Sequence, residues 1–532
     1  MSALVEESVE TPPTSIPWVY LSTASFLVAG GVFYIYLARV LPLGELGSVV
    51  ILQSIAPVVG TAMTLGLGAG FNHFLSYHRA RGELATTRAL VRRAMMATAL
   101  LSLVGFAAVA LASDGLSVLF FHSGKYAYDI QLLGAYIGLL TAIGIFSNVF
   151  WGLQRFVAYS IVYTVGTGFV FGVPVLFYTL HPSVTSIVLG WILGAAIEVA
   201  MFASLLVRWE RTGTTRGFDD RPAITQRISP RTILLYSLPV LLSTVLTTGA
   251  FYVDRLVLAS IGTLSEVGVY NYAVLIASGS LFVISPFYTI LVPRISALFG
   301  RNLLADVRAL ARTSSSLVAI IYVPFGLGIA AIGPFLLRLL VGPAFVPASV
   351  PMAVLLVITA IFVPLTVLVS LASGIRRTTA LARASAVALL ANVILCIVLV
   401  PRIGITGAAL GNSAMSWASF AILYLELRGT HLVQFSVRSI ARIWLAAGAM
   451  FVVVAGALAI LQYRPIFVVL FVVAGAVIYL AVLRLSRALT DDSAEALIKF
   501  LPRWAAAFRS IVCWVAACDD CDHGERMRRP AL

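Results

Sequence analysis

Apolar blocks of roughly 20 residues or more recur along the whole chain, and this constrains the fold more than any other feature. A helix rises ~1.5 Å per residue, so each block is long enough to cross a hydrocarbon core ~30 Å thick. In lipid every backbone polar group must be satisfied within the segment, which makes such blocks helices. Of the 532 residues, 60% are hydrophobic and 11% charged, a balance foreign to a soluble fold around one apolar core. We read about fourteen spans, at 18–40, 46–70, 90–112, 130–151, 157–180, 185–207, 233–260, 267–291, 314–337, 351–373, 380–400, 405–427, 441–462 and 465–484. The segment 1–17 is acidic and contains prolines. It shows no cleavable secretion signal, and the first block, from Trp18, is long enough to span.

The net charge of +14 would suggest nucleic acid in a soluble protein. Here the basic residues sit between helices, so membrane topology explains them and no nucleic-acid partner is expected. One set of loops holds Arg79 to Arg93, Arg155, Arg208 to Arg231, Arg294 to Arg312, Arg376 to Arg383 and Arg428 to Arg442, with Lys499 and the arginines of the tail. That set accounts for thirty of the 36 basic residues. The opposite loops hold five: Arg39, Lys125, Arg338, Arg402 and Arg464. The asymmetry places both termini on the cytoplasmic side of a cell membrane.

The sequence also repeats. TTRALVRR at 86–93 matches DVRALART at 306–313, Gly47 in ELGSVV matches Gly268 in EVGVYN, and WGLQR at 151–155 matches SGIRR at 373–377. TSIVLG from Thr185 matches ITGAALG from Ile405, and the offset stays at 220 to 222 throughout. A six-helix repeat preserves orientation, so its halves are expected to be related by an axis along the membrane normal, with a site between them. The expected organisation is a segment 1–17, a bundle 18–207, a cytoplasmic loop 208–232, a second bundle 233–427, two extra helices in 428–484, and a tail 485–532. Within the tail, 494–517 mixes Trp504, Phe508 and Trp514 with Lys499, Arg503 and Arg509, which suits a helix lying on the inner leaflet. The run CDDCDH at 518–523 lacks a convincing fourth metal ligand, so no metal site is expected.

Only two lysines are present, Lys125 and Lys499, and neither closes a phosphate-cradling GxxxxGK loop, which excludes an ATP-driven pump in this chain by itself. No HExxH motif occurs, and no soluble domain is long enough to hold an enzyme site. A membrane glycosyltransferase or polymerase would need a sizeable outer loop, whereas the longest here is about 113–129. No catalytic residue and no cofactor are expected. Pro57, Pro174, Pro239, Pro286, Pro324 and Pro364 fall inside spans, as ordinary curvature or as hinges.

Charges within spans say most about function. Asp254 and Arg255 sit about two-thirds of the way across the seventh span, and Glu198 near the middle of the sixth. A charge at that depth costs at least ~2.5–3.5 kcal/mol, so each needs a partner or a wet cavity. Salt bridges between helices are one reading; a substrate or coupling-ion site is the other. Asn72, His73, Asn148, Asn271 and Asn412 are weaker candidates, of the kind that often hydrogen-bond between helices. The candidate substrate contacts are Arg255, Asp254, Arg39, Asn72, His73 and Asn271, with Glu198 as the ion-coupling residue for H+ or Na+.

ARVLPLGELGSVV after the first span, YSLPVLLS opening the seventh, and VDRLVLASIGTLSEVGVYNYA running into the eighth resemble the polysaccharide-transport, or oligosaccharide flippase, family. That family belongs to the multidrug/oligosaccharidyl-lipid/polysaccharide exporter superfamily, and the resemblance covers residues 18–485. Its most specific part is Asp254, Arg255 and Val257 followed by Gly268 and Tyr270, while PLGELG departs from the LGP-type turn of many relatives. The resemblance implies a MATE-like fold that carries an oligosaccharide on a polyprenyl phosphate or diphosphate from the inner to the outer leaflet. Membrane lipids, and the enzymes of polysaccharide assembly, are the further partners it implies. Lipid II, or a drug in an exporter of the same fold, is the alternative cargo.

Overall fold

The computed structural model describes residues 12–212, 228–460 and 465–486. The expected inner-leaflet helix 494–517 and the run Cys518 to His523 lie outside the described residues, as do 1–11 and most of the loop 208–232. The described residues form helices joined by short turns, with no strand among them. The chain divides by internal packing into two compact units, Met1–Gly268 and Val269–Leu532.

In the first unit, α1 (Pro12–Val40), α2 (Leu43–Met63), α3 (Leu67–Ala80) and α4 (Leu84–Phe121) precede α5 (Ala127–Gly152), α6 (Phe156–Leu180), α7 (Val184–Thr212) and α8 (Pro230–Ile261). The helix α9 (Leu264–Ser280) crosses the division. The second unit continues with α10 (Ser285–Gly300), α11 (Leu304–Leu340), α12 (Ser349–Phe362), α13 (Val367–Gly374), α14 (Thr378–Arg428), α15 (Val437–Ile460) and α16 (Pro465–Leu485). Among the described residues, twelve helical stretches are long and apolar enough to cross a membrane. One of them, α14, is two spans joined at a kink, where Gly404 takes φ 54° behind Pro401. With α16 as a further apolar helix, the count reaches the fourteen read from sequence. The protein is a multi-pass membrane protein.

Three spans read as continuous are interrupted. The second breaks at Thr64–Gly66, where Leu65 and Gly66 both adopt positive φ. The Thr64 hydroxyl donates to the Thr61 carbonyl (2.8 Å) and accepts from the Gly66 N–H (3.2 Å), competing with the helix for its own backbone groups. A side chain at Gly66 would also meet the Ser237 carbonyl of α8 at 2.4 Å. The eighth span breaks in the 3₁₀ turn Leu281–Ile284 ahead of Pro286, and the tenth in Val363–Thr366 around Pro364. The repeat offset of 220 carries Thr64–Gly66 onto Ile284–Pro286, so the first two breaks are repeat-equivalent.

The packing division falls at Gly268, whereas the sequence reading divides the bundles at 208–232. Physically, α8 packs on α2 and α3 through Gly66 and Gly70, the latter close against the Ser237 hydroxyl and Ile233. The pair Gly47 and Gly268 recurs as a reciprocal contact: the place of a side chain at Gly47 is taken by the Leu264 carbonyl, and that at Gly268 by the Leu43 carbonyl.

Candidate functional site

The site is set by how α6 and α7 approach. Gly190 and Gly194 form a G-x-x-x-G face on α7, and side chains there would collide with Pro174 and with the Phe169–Val170 backbone of α6. The close approach seats Trp191 and Glu198, seven residues apart on one face of α7, inside the first unit. Trp191 is 0% and Glu198 3% exposed.

The Glu198 side chain lies over Gly166 of α6, where an added β-carbon would be 2.4 Å from its Cγ and 2.7 Å from Oε2. Its Oε1 has no hydrogen-bond partner. Tyr136 of α5 and Tyr159 and Tyr163 of α6 are within its electrostatic reach. Tyr136 stacks on Trp191 with ring centroids 5.7 Å apart, and the Trp191 indole N–H is also without a partner.

On α8, Asp254 is 0% and Arg255 6% exposed. They lie ~36 Å along the helix from Pro230, at ~1.5 Å per residue. The Asp254 carboxylate accepts the backbone N–H of Arg255 at 2.9 Å. The Arg255 guanidinium sits 5.2 Å from the ring centre of Tyr252, a cation–π contact. Tyr34 of α1 lies within electrostatic reach of Tyr252 and Arg255, and its hydroxyl donates to Gln53 Oε1 of α2. Tyr136 reaches both Tyr34 and Tyr252 as well as Glu198. Tyr34, Tyr136 and Tyr252 are thus within electrostatic reach of one another, in the unit that also holds Glu198 and Arg255.

Among the described residues neither Glu198 nor Arg255 takes part in an ion pair. Among the described residues the pairs are His78–Glu83, Arg81–Glu83, Arg92–Glu210 and Arg383–Glu426. The Arg255 Nε has no acceptor. A guanidinium is a ready donor site for phosphate oxygens, which it can hold through two parallel N–H bonds.

The remaining sequence candidates lie elsewhere. Arg39 is exposed in the last turn of α1. Asn72 is half-buried, its backbone against Gly152, and exposed His73 stacks on Tyr236 of α8 at 4.5 Å. Tyr236 and Arg255 are nineteen residues apart on one helix, about 28 Å, so His73 does not share the Arg255 environment. Asn271 belongs to the second unit, 5% exposed, with its Nδ2 lacking a partner. Sequence reasoning did not find Tyr34, Gln53, Tyr136, Trp191 or Tyr252. One signal was present for Tyr34, which stands at the repeat offset of 220 from Asp254.

The family described as polysaccharide biosynthesis protein matches residues 17–299, more than half of the chain. No curated protein matches it in sequence. Among solved structures, the chain is similar to the lipid II flippase MurJ in an inward closed conformation, with TM-score 0.69 and 13% identity, covering 87% of this chain and 97% of that one. It is also similar to an inward-facing multidrug resistance MATE family transporter of the MOP superfamily, with TM-score 0.64 and 14% identity, covering 76% and 95%. A third is a MOP superfamily transporter from Pyrococcus furiosus, described as having a binding pocket of reversed polarity, with TM-score 0.52 and 15% identity over 79% and 95%. At these identities the likeness is one of fold.

Proposed function

We propose that this chain, which belongs to the polysaccharide biosynthesis protein family, is a flippase that moves an oligosaccharide linked to a polyprenyl phosphate or diphosphate from the inner to the outer leaflet. The observation that carries this reading is Arg255, buried deep in a span and without an ion pair among the described residues. A guanidinium stays charged at physiological pH and offers five fixed donors, so it suits a phosphate crossing a low-dielectric region while the lipid tail stays in the bilayer. Asp254 accepts the backbone N–H of Arg255, and the guanidinium lies over the Tyr252 ring. Arg39, Asn72, His73 and Asn271 are assigned to the path of the glycan rather than to the phosphate. Glu198 is the coupling residue, for H+ or Na+. The arginine-rich side, with both termini, faces the cytoplasm of a cell membrane, and the chain acts as a transporter without chemical turnover.

Reconstitution into liposomes tests the reading. Lipid-linked sugars placed in one leaflet should be transferred by the wild-type protein only when they carry the phosphate or diphosphate. Equal transfer of a phosphate-free glycolipid would contradict the assignment.

A further inference from the structure

We propose that Glu198, with Gly166, Tyr136, Tyr159 and Tyr163 around it, is a proton site sealed inside the first unit and selective for H+ over metal cations. This deepens the coupling role given to Glu198 above and rests on that reading for its purpose, though not for its test.

The carboxyl is approached from each neighbouring helix by groups of known charge. From α6 come Tyr159, Tyr163 and the bare backbone of Gly166; from α5 comes Tyr136. Asp129 of α5 is engaged with the Thr185 hydroxyl at 2.6 Å, thirteen residues and about 20 Å along α7 from Glu198. From α4, Arg92 is paired with Glu210 and Arg93 donates to the Ile228 carbonyl at 2.6 Å. Glu210 is twelve residues, about 18 Å, from Glu198 in the other direction. On α2, Glu45 is within reach of Tyr178, near the far end of α6, and Gln53 accepts from Tyr34. Arg255 of α8 connects to Glu198 only through Tyr34 and Tyr136.

No cation therefore pairs with Glu198 among the described residues, and one of its oxygens is an acceptor with no donor. A carboxylate in that position is charged, desolvated and unpaired; adding a proton removes the charge without any movement of the helices. A hard metal cation needs several oxygens at once. Here Oε2 lies over Gly166, Oε1 is buried without a hydrogen-bond partner, and Trp191 two turns away adds an N–H donor rather than a ligand. The wall is also tight. Gly166 leaves no room for a β-carbon beside the carboxyl.

The test is infrared spectroscopy of the purified full-length protein in lipid nanodiscs, recorded across a pH series in sodium or in choline chloride. Wild type should show a carboxylic acid C=O band that disappears as the pH is raised, is the same in both salts, and is missing from Glu198→Gln. Gly166→Ala, which pushes the carboxyl from its seat, should shift the pH at which the band disappears. Identical spectra for wild type and Glu198→Gln, or loss of the band on adding sodium at constant pH, would overturn the proposal. An unmoved band in Gly166→Ala would overturn the seating against α6, and it serves as the check should Glu198→Gln fold poorly. No lipid-linked sugar enters the measurement, so its outcome is separate from that of the transport assay.

Discussion

The two units share a scaffold and differ in what they bury. In the first, the buried polar groups include Asp129, Glu198, Asp254 and Arg255. In the second, among the described residues, they are neutral: Asn271, Asn392 and serines such as Ser280 and Ser315. By the match that aligns Gly190 with Gly411, the repeat position of Glu198 is Ser419, and that of Trp191 is Asn412. The second unit instead joins its interrupted helices through hydroxyls, Ser280 to Tyr322 at 2.6 Å and Tyr288 to Thr366. It also docks an extra helix on a kink. Pro324 has no N–H to give the Ile320 carbonyl, and the Tyr479 hydroxyl of α16 donates to that oxygen at 2.9 Å. Among the described residues the buried carboxylates and guanidinium thus share one packing unit, with Asp129 and Glu198 on helices of the first sequence repeat and Asp254 and Arg255 on the first helix of the second.

Moving the charge across is the strongest way to break this comparison. In Glu198→Gln combined with Ser419→Glu the carboxyl sits at the repeat-equivalent place, and gradient-dependent transport should stay abolished. Restored dependence on a proton or sodium gradient would mean that the two halves are interchangeable. The shared scaffold predicts the opposite pattern for stability. Gly194→Val on α7 and Gly411→Val on α14, where side chains would strike the Val170 Cα and the Cys396 sulfur respectively, should each cost about 1–3 kcal/mol of overpacking. Thermal unfolding in detergent reads this, and a large effect in only one unit would deny the common packing.

The kink on α11 sharpens the difference further. Tyr479→Phe should cost about 1 kcal/mol, the worth of one hydrogen bond to a buried carbonyl. With Pro324→Ala, which returns an N–H to the helix, the same change should cost markedly less. A double-mutant cycle with no coupling would remove the latch from the account. The smallest effects belong to the exposed pairs Arg92–Glu210 and Arg383–Glu426, whose arginines are 70% and 66% exposed. Replacing either arginine with glutamine should change stability by no more than about 1 kcal/mol, equally in both units.

The fourteen spans were legible in sequence because lipid imposes one requirement on every residue in turn, and an apolar block meets it or fails. The breaks were not. Thr64, Leu65 and Gly66 pass as ordinary members of an apolar run, and only the threonine hydroxyl and the approach of Ser237 end the helix there. Arg255 and Glu198 stood out because charge is rare inside a span. Their surroundings did not, since Tyr34, Tyr136 and Trp191 are common residues in membrane helices, and what they touch depends on which helices meet. The close seating of α6 on α7 was written as GWILG at 190–194, yet its partner at Gly166 and Pro174 could be known only from the packed structure.

The central claim is that Arg255 meets the phosphate, and transport per folded molecule tests it most directly. Wild type, Arg255→Ala and Arg255→Lys would be purified, checked for monodispersity and thermal stability, and reconstituted at equal protein with a diphosphate-linked sugar lipid. The account predicts that Arg255→Ala is folded but does not transport, and that Arg255→Lys recovers part of the rate, since an ammonium keeps the charge and loses the two-pronged contact. A well-folded Arg255→Ala protein that transports at the wild-type rate would contradict it.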